Sequence, residues 1–237
     1  MAKLLLKGIR YVKCYSELSF GGARPQSLEE IVDYGRDRPV LMGQVRSEIL
    51  GLGNLLKEFV PKRSLEIGTN YGGTLLLLCA LSAPKAKIIS VDLPNGPFGG
   101  GYPKRKMPIF RRFPRHGQKL HLLRADSHAA ETKEQVLRLL EGERLDYLFI
   151  DADHTYEGVW RDFQMYAPLV RSGGMIAFHD IVTHRRETRS EVERFWSEIK
   201  QKYRHREFVE HSNPGTMPVA VTGAPMETSG LGVLFVP

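Results

Sequence analysis

Cysteine is scarce in this sequence, whose 237 residues include only Cys14 and Cys79. Two cysteines do not form a disulfide framework, and Cys79 lies in an apolar run typical of a buried helix. Long apolar runs are also missing, since none approaches the roughly 18 residues that a membrane-spanning helix needs. The apolar stretch after Met1 is too short for a signal peptide. We therefore expect a cytoplasmic protein with no disulfide and no membrane span.

Acidic residues are absent from residues 94–119, although this segment carries seven basic residues of a chain with a formal net charge of +7. They are Lys104, Arg105, Lys106, Arg111, Arg112, Arg115 and Lys119. Three interpretations of this basic segment stay open: a solvated loop, a site for an anionic small molecule or membrane surface, and a nucleic-acid surface. The composition of the segment argues against nucleic acid, because single-strand binders interleave many stacking aromatic residues with the charge.

Apolar strand-like runs alternate with helix-like runs, which predicts βαβ units and a mostly parallel sheet. The five strands of the parallel part are predicted over residues 64–68, 86–93, 120–125, 145–151 and 175–179. Two later runs, 207–210 and 232–236, would complete a seven-stranded sheet. Helices are predicted over residues 74–80, 131–140, 156–171 and 190–203, the third ended by Gly173-Gly174. The expected fold class is α/β, with a Rossmann-like sheet covered by helices on both faces.

The N-terminal residues do not follow this alternation. They are predicted to form a helical extension, with helices over residues 27–34 and 40–56. The expected organisation is therefore an N-terminal extension or lid over residues 1–45, followed by one α/β domain over residues 46–237.

A glycine-rich loop follows the first predicted strand and leads directly into a helix. In dinucleotide-binding folds this loop reads G-x-G-x-x-G, and its second glycine lets the backbone approach a pyrophosphate. Here Asn70 occupies the place of that glycine, between Gly68 and Gly72. The pattern therefore disfavours a dinucleotide, while the two glycines still let the backbone turn sharply under another ligand.

Polar residues stand at the end of each of the five parallel strands. They are Glu66, Asp92, Asp126 with Ser127, Asp151, and His179 with Asp180. Because the carboxyl ends of parallel strands lie at one edge of the sheet, we expect these side chains to meet where open α/β sheets bind ligands. Any one of them could be a helix cap or a turn residue. Five such strand ends together predict a functional site.

The order of the glycine loop and these strand ends, over roughly residues 41–237, resembles the class I S-adenosylmethionine-dependent methyltransferases. Residues 149–157 and 177–180 look most like the subgroup with cephalosporin-biosynthesis methyltransferase-like proteins and sugar O-methyltransferases. The resemblance implies S-adenosylmethionine as cofactor, with Asp92 accepting hydrogen bonds from both ribose hydroxyls. The other implied cofactor-binding residues are Glu66, Gly68, Asn70 and Gly72, with Asp126 and Ser127 near the adenine.

That subgroup resembles the divalent-metal-dependent catechol-type O-methyltransferases. The likeness implies a metal held by Asp151 and Asp180, with His179 as a further ligand, and a catalytic role for Asp151. It places the general base at His154, where that family has lysine, and His179-Asp180 stands where it has Asp-Asn. Carboxylates suit Mg²⁺, the expected metal, whereas a histidine ligand favours a softer transition metal. A structural role for either histidine stays open.

The expected function is an S-adenosylmethionine-dependent O-methyltransferase that acts on a small-molecule or glycan hydroxyl with the help of a divalent metal. One alternative is a nucleic-acid methyltransferase, although the chain lacks the Asn/Asp-Pro-Pro-aromatic motif of base amino methylation. The other is a non-catalytic cofactor-binding protein, against which the metal-like cluster argues. A homo-oligomer is possible. We expect residues 1–45 and 94–119 to build the acceptor pocket, since long loops in compact domains are often binding elements.

Overall fold

The computed structural model describes residues 2–20, 24–37, 40–98, 100–182, 190–210 and 229–237. These residues form one seven-stranded sheet with α-helices on both faces. The strands are β1 Arg63–Ile67, β2 Lys87–Val91, β3 Lys119–Leu123, β4 Leu145–Ile150, β5 Val170–His179, β6 Arg204–Phe208 and β7 Leu231–Phe235. The α-helices are α1 Ala2–Phe20, α2 Leu28–Asp37, α3 Arg46–Phe59, α4 Gly73–Leu81, α5 Met107–Phe110, α6 Ala130–Leu140, α7 Tyr156–Tyr166 and α8 Val192–Ile199. The predicted α/β, Rossmann-like fold class is confirmed.

The strand order places a switch point in the middle of the sheet. The order is β3-β2-β1-β4-β5-β7-β6, in which β1 to β5 are parallel and β7 runs antiparallel to β5 and β6. The chain moves outward from β1 through β2 to β3, and then returns to β4 on the other side of β1. The crevice outside the carboxyl ends of β1 and β4 is where such sheets bind ligands.

Alternation along the strands divides the core into two apolar layers. In β4, Tyr147 and Phe149 belong to the layer with α1 to α5, whereas Leu148 and Ile150 belong to the layer with α6 to α8. All four side chains are buried, because both faces of a parallel sheet are covered. The central strands are therefore apolar along their length, and their polar residues are concentrated at the ends.

The N-terminal residues share the first of these layers. Leu18 of α1 and Ile31 of α2 are buried in the same cluster as Leu52 of α3 and Leu76 of α4. Helix α1 was not predicted, whereas α2 lies close to the helix predicted over residues 27–34. The N-terminal helices therefore pack as part of the α/β core, and the division at residue 45 stays a prediction.

The predicted end of the helix after β4 is wrong, and the helix predicted over residues 190–203 likewise ends early, at Ile199. The α-helix expected over residues 156–171 ends at Tyr166 and continues only as a short 3₁₀ turn. Strand β5 then begins at Val170, so the pair Gly173-Gly174 lies inside a strand and does not terminate a helix. Gly173 has φ +71° where the register between β5 and β4 shifts, and glycine adopts this backbone conformation without strain.

The helix predicted over residues 40–56 also begins later, at Arg46. The preceding residues are irregular because their backbone groups bond elsewhere. Met42 donates its N–H to the Gly35 carbonyl at 2.8 Å, and the Leu41 carbonyl accepts the Gly73 N–H at 3.1 Å. These bonds bring residues 40–45 against the loop that follows β1.

Both cysteines are free and buried, and Cys79 lies in the core as its apolar helix predicts. Within the described ranges, no helix combines the length and the apolar character that crossing a membrane requires. The cytoplasmic location stays a prediction.

Candidate active site

The ends of β1 and β4 meet at the centre of the site. Gly68 follows β1 with φ +89°, and a Cβ at this position would overlap the carbonyl oxygen of Asp151. The same strands are joined by the Asp151 N–H, which donates to the Ile67 carbonyl at 2.8 Å. Glycine is required both by the left-handed backbone and by this close approach. The glycine loop is therefore in direct contact with the residue predicted to bind metal.

The start of α4 is enclosed from two directions. Gly72 has φ +87° at the N-cap, and a Cβ there would lie 2.5 Å from the ring of Phe110. Phe110 belongs to α5 in the basic segment. From the other side, Gly73 donates its N–H to the Leu41 carbonyl at 3.1 Å. The glycine loop is thus held between the basic segment and the N-terminal residues.

Asp92 follows β2 and is hydrogen-bonded to the glycine loop. Its Oδ2 accepts the N–H of Asn70 at 3.0 Å and the N–H of Tyr102 at 2.9 Å. Asn70 has φ +43°, a left-handed conformation that asparagine adopts more readily than most residues. Burial raises the pKa of Asp92, although these N–H groups act in the opposite direction. A Cβ on Gly101 would lie only 3.2 Å from Asp92 Oδ1, so a glycine at this position leaves room beside that oxygen.

Glu66 lies beneath the glycine loop and is 0% exposed. Its Oε2 accepts a hydrogen bond from Thr69 Oγ1 at 2.6 Å, and that hydroxyl lies 2.7 Å from Ser90 Oγ on β2. Burial raises the pKa of Glu66 to about 8, against the effect of the Thr69 hydrogen bond. Glu66 is therefore mostly protonated at neutral pH and supports the loop from within the fold.

Asp126 and Ser127 follow β3 next to Asp92, since the Ala125 N–H donates to the Asp92 carbonyl at 3.0 Å. Asp126 is exposed, and its Oδ1 accepts the His128 N–H at 2.8 Å in a tight turn. Ser127 is buried, and its carbonyl accepts the hydroxyl hydrogen of Tyr166 at 2.7 Å. The turn therefore lies beside the predicted ribose-binding residue, and the role of this pair at the adenine stays a prediction.

Asp151, His154 and Asp180 form a compact group beyond the ends of β4 and β5. Each offers one metal-ligating atom, and these atoms all lie within 4.8 Å of one another. His154 Nδ1 is 3.2 Å from Asp180 Oδ2, and His154 Nε2 is 3.8 Å from Asp151 Oδ1. The structure thus brings the two predicted carboxylate ligands together with the predicted base.

His179 lies deeper than this group and contacts both of its carboxylates. Its Nδ1 is 3.3 Å from Asp151 Oδ1 and 3.3 Å from Asp180 Oδ1, while its Nε2 lies 2.8 Å from Ser229 Oγ. Burial lowers the pKa of His179, but the carboxylates of Asp180 and Asp151 outweigh that effect and raise the pKa to about 10. Its role as a ligand stays a prediction.

Two further residues of the site have no sequence motif. Gln44 donates from Nε2 to Asp151 Oδ2 at 3.2 Å. Phe98 stacks on the His154 ring, with ring centroids 5.0 Å apart and an interplanar angle of 18°. Both lie in segments expected to build the acceptor pocket, and that expectation was the only sequence signal that could have indicated them.

Several cations of the basic segment contact the protein itself. Lys106 is buried and places Nζ 4.0 Å from the centroid of the Tyr71 ring in the glycine loop. Burial lowers the pKa of Lys106 to about 8, and Arg105 adds to the effect. Arg112 lies over the ring of Tyr15, and Arg115 donates to a backbone carbonyl of the N-terminal segment. The segment therefore covers the site and is anchored to α1 and to the glycine loop.

Comparisons with known proteins agree with this geometry. Residues 65–181 match a family model described as a methyltransferase domain. The chain is similar to an uncharacterized protein of Sinorhizobium fredii, with 28% identity over 142 residues, and to one of Acanthamoeba polyphaga mimivirus, with 32% identity over 123 residues. These matches cover 59% and 51% of this chain but span only 15% and 52% of the two relatives.

Among solved structures, the chain is similar to the O-methyltransferase from Bacillus cereus in complex with SAH. The TM-score is 0.57 at 16% identity, and the likeness covers 96% of this chain and 97% of that one. At this identity the likeness concerns the fold. The two comparisons agree: residues 65–181 match the methyltransferase domain model, and the fold of the whole chain is similar to that of a known O-methyltransferase.

The contact between Gly68 and Asp151 predicts an unusually costly substitution. Gly68→Ala combines the left-handed penalty of about 1–2 kcal/mol with a backbone overlap, so we expect it to lower the free energy of unfolding by at least about 3 kcal/mol. Gly142→Ala is the matched control, because φ is +83° there but nothing lies within 4 Å of the added Cβ. Urea unfolding measures both. Equal losses in the two variants would contradict the close approach.

Proposed function

We propose that this protein is an S-adenosylmethionine-dependent O-methyltransferase that acts, with a divalent metal, on a hydroxyl of a small molecule or glycan. The observation that carries the proposal is the group of Asp151, His154 and Asp180, whose ligating atoms lie within 4.8 Å of one another beside the glycine loop. A carboxylate pair with an adjacent histidine can hold a cation and accept a proton at the same place. The SAH complex of the Bacillus cereus O-methyltransferase supports the choice of cofactor.

The residues at β1 and β2 fit the cofactor. The left-handed glycines Gly68 and Gly72 shape a loop at the switch point, and Asp92 presents a buried carboxylate next to it. The N–H groups of Asn70 and Tyr102 donate to Oδ2, and we expect Oδ1 to accept from the ribose hydroxyls. Asn70 excludes the close glycine contact that a pyrophosphate needs, which favours a nucleoside such as S-adenosylmethionine over a dinucleotide.

Asp92→Ala should weaken binding of S-adenosylhomocysteine by about 1.5–3 kcal/mol, the range for a lost hydrogen bond to a charged group. Calorimetric titration of the purified protein measures this loss. Asp33→Ala is the control, because Asp33 is an exposed carboxylate paired with Arg46 on the N-terminal helices. Unchanged affinity in Asp92→Ala would remove the ribose assignment. Tight binding of a nicotinamide dinucleotide by the wild type would contradict the proposed cofactor.

The donor set at β4 and β5 fits a divalent cation. Asp151 and Asp180 would supply carboxylate oxygens, and a histidine nitrogen would come from His179 or His154. Oxygen ligands suit Mg²⁺, and a nitrogen in the set also admits ions such as Mn²⁺. Such a cation, when bound, would lower the pKa of an acceptor hydroxyl and hold it in position. Gln44 holds Asp151 at its other carboxylate oxygen and so limits the rotation of that side chain.

Chelation should abolish methyl transfer while leaving most of the affinity for S-adenosylhomocysteine. Asp180→Asn should mimic chelation and weaken Mn²⁺ binding at least tenfold, because the substitution removes a charge but keeps a residue that tolerates φ +60°. Calorimetry with Mn²⁺ gives a measurement that needs no acceptor, and a panel of catechols and glycosides serves for turnover. Full activity in excess chelator would remove the metal from the mechanism.

His154 is the better placed of the two histidines to take a proton from the acceptor. Its side chain is 29% exposed, whereas that of His179 is 11% exposed and has a partner within 3.3 Å of each nitrogen. Phe98 stacks on the His154 ring and limits its orientations. The sulfonium cofactor already carries its leaving group, so the protein has to align the acceptor oxygen with the methyl group and accept the hydroxyl proton.

His154→Gln should lower kcat by roughly 10²–10⁴-fold, the usual contribution of a positioned general base. Affinity for S-adenosylhomocysteine and for Mn²⁺ should stay within about threefold of the wild type. His205→Gln is the control, since His205 lies exposed on the edge strand β6. A large loss of Mn²⁺ affinity in His154→Gln would make His154 a ligand and contradict its role as the base.

Residues 1–45 and 94–119, which we expect to build the acceptor pocket, fit a small or extended polar acceptor better than nucleic acid. Lys106, Arg112 and Arg115 are engaged with the protein, which reduces the charge that the basic segment offers to a phosphate backbone. Phe98 lies beside the base and is partly exposed, so it offers an apolar surface to the acceptor. A non-catalytic cofactor-binding protein would not need the cation-binding group. A cytoplasmic location and a homo-oligomer belong to the same proposal.

A further inference from the structure

His179 is held from both sides of its ring. Nδ1 lies 3.3 Å from a carboxylate oxygen of Asp151 and of Asp180, and Nε2 lies 2.8 Å from Ser229 Oγ. A neutral imidazole has one N–H and one lone pair, and its hydrogen-bond partners decide which nitrogen carries which. The two carboxylates favour a proton on Nδ1, and a cation bound between them would replace that proton; with the hydroxyl accepting the Nε2–H, the Nδ1 lone pair would then be left to face the cation.

Ser229 is itself fixed by its backbone neighbours. Its carbonyl accepts the Val182 N–H at 3.2 Å, and the next residue, Gly230, donates its N–H to Glu48 Oε2 at 3.1 Å. Gly230 has φ +68°, and a Cβ there would lie 2.8 Å from Ile181 Cγ1. The peptide group that follows Ser229 is therefore held through both its carbonyl and its N–H, which limits the movement of the hydroxyl away from His179.

Glu48 links this arrangement to α3. It is 1% exposed, and its second oxygen, Oε1, accepts the Glu210 N–H at 3.0 Å. One carboxylate thus binds the backbone just after β6 and just before β7. Neither Glu48 nor Ser229 lies in a segment that the comparisons or the strand-end pattern mark as part of a site.

We propose that Ser229 is a positioning residue for the metal site, and that Glu48 holds it in place through Gly230. The Ser229 hydroxyl accepts the Nε2–H of His179 and thereby presents Nδ1 as a ligand beside Asp151 and Asp180. Groups that orient a histidine ligand in this way raise metal affinity without touching the ion. The inference rests on the proposed metal-assisted function, since it names a residue that supports the same site.

The test compares Mn²⁺ affinity in the full chain by calorimetry. Ser229→Ala should weaken Mn²⁺ binding by about 10–100-fold, the usual effect of removing a partner of a histidine ligand. Ser229→Thr keeps the hydroxyl and should stay within about threefold of the wild type. Glu48→Gln should weaken Mn²⁺ binding by a smaller factor, because it acts through Gly230.

Gln118→Ala controls for a general loss of stability. Gln118 donates to the Ser82 and Ala83 carbonyls at 3.1 Å each, at the opposite edge of the sheet, so its loss should lower the melting temperature without changing Mn²⁺ affinity. Wild-type affinity in Ser229→Ala, or an equal loss in Ser229→Thr, would overturn the inference. A wild-type protein that does not bind Mn²⁺ would instead contradict the proposed function, and the two failures are therefore distinguishable.

Discussion

The close approach of two parallel strands, β1 and β4, determines where the polar groups of the site lie. Their ends meet through a glycine whose missing side chain leaves room for the Asp151 carbonyl. This contact places the loop that would carry a nucleoside directly against the residues that would hold a cation. In an open α/β sheet the crevice at the switch point is the usual binding place, and here one backbone contact joins its two halves.

The acidic residues of the site differ in their burial and in the groups that they contact. Glu66 is enclosed, and its raised pKa removes most of its charge at neutral pH. Asp151 and Asp180 instead face His179, whose pKa they raise, so a protonated His179 balances part of their charge. A charged Glu66 beneath the glycine loop would be costly because its side chain is fully buried.

The basic segment, residues 94–119, is packed against the site. Residues 94–119 contact the site at four places: Phe98 stacks on His154, Tyr102 donates to Asp92, and Lys106 and Phe110 lie against the glycine loop. In place of acidic partners, Lys106 and Arg112 lie over tyrosine rings, and Arg115 donates to a backbone carbonyl. The contact between Arg112 and Tyr15 also joins α1 to this segment, as a pocket built by both would require.

The sequence by itself determined the sheet, the class of fold and the strand-end residues. Apolar runs of strand length must be buried on both faces, and parallel strands must bring their carboxyl ends to one edge. Only the tertiary structure decided the contacts of Gln44, Phe98, Glu48 and Ser229, because these side chains reach the site through packing between elements distant in the chain. The error in the predicted end of α7 has the same origin. The glycine pair lies where the register between two strands shifts. Strand pairing is a long-range property that local spacing does not encode.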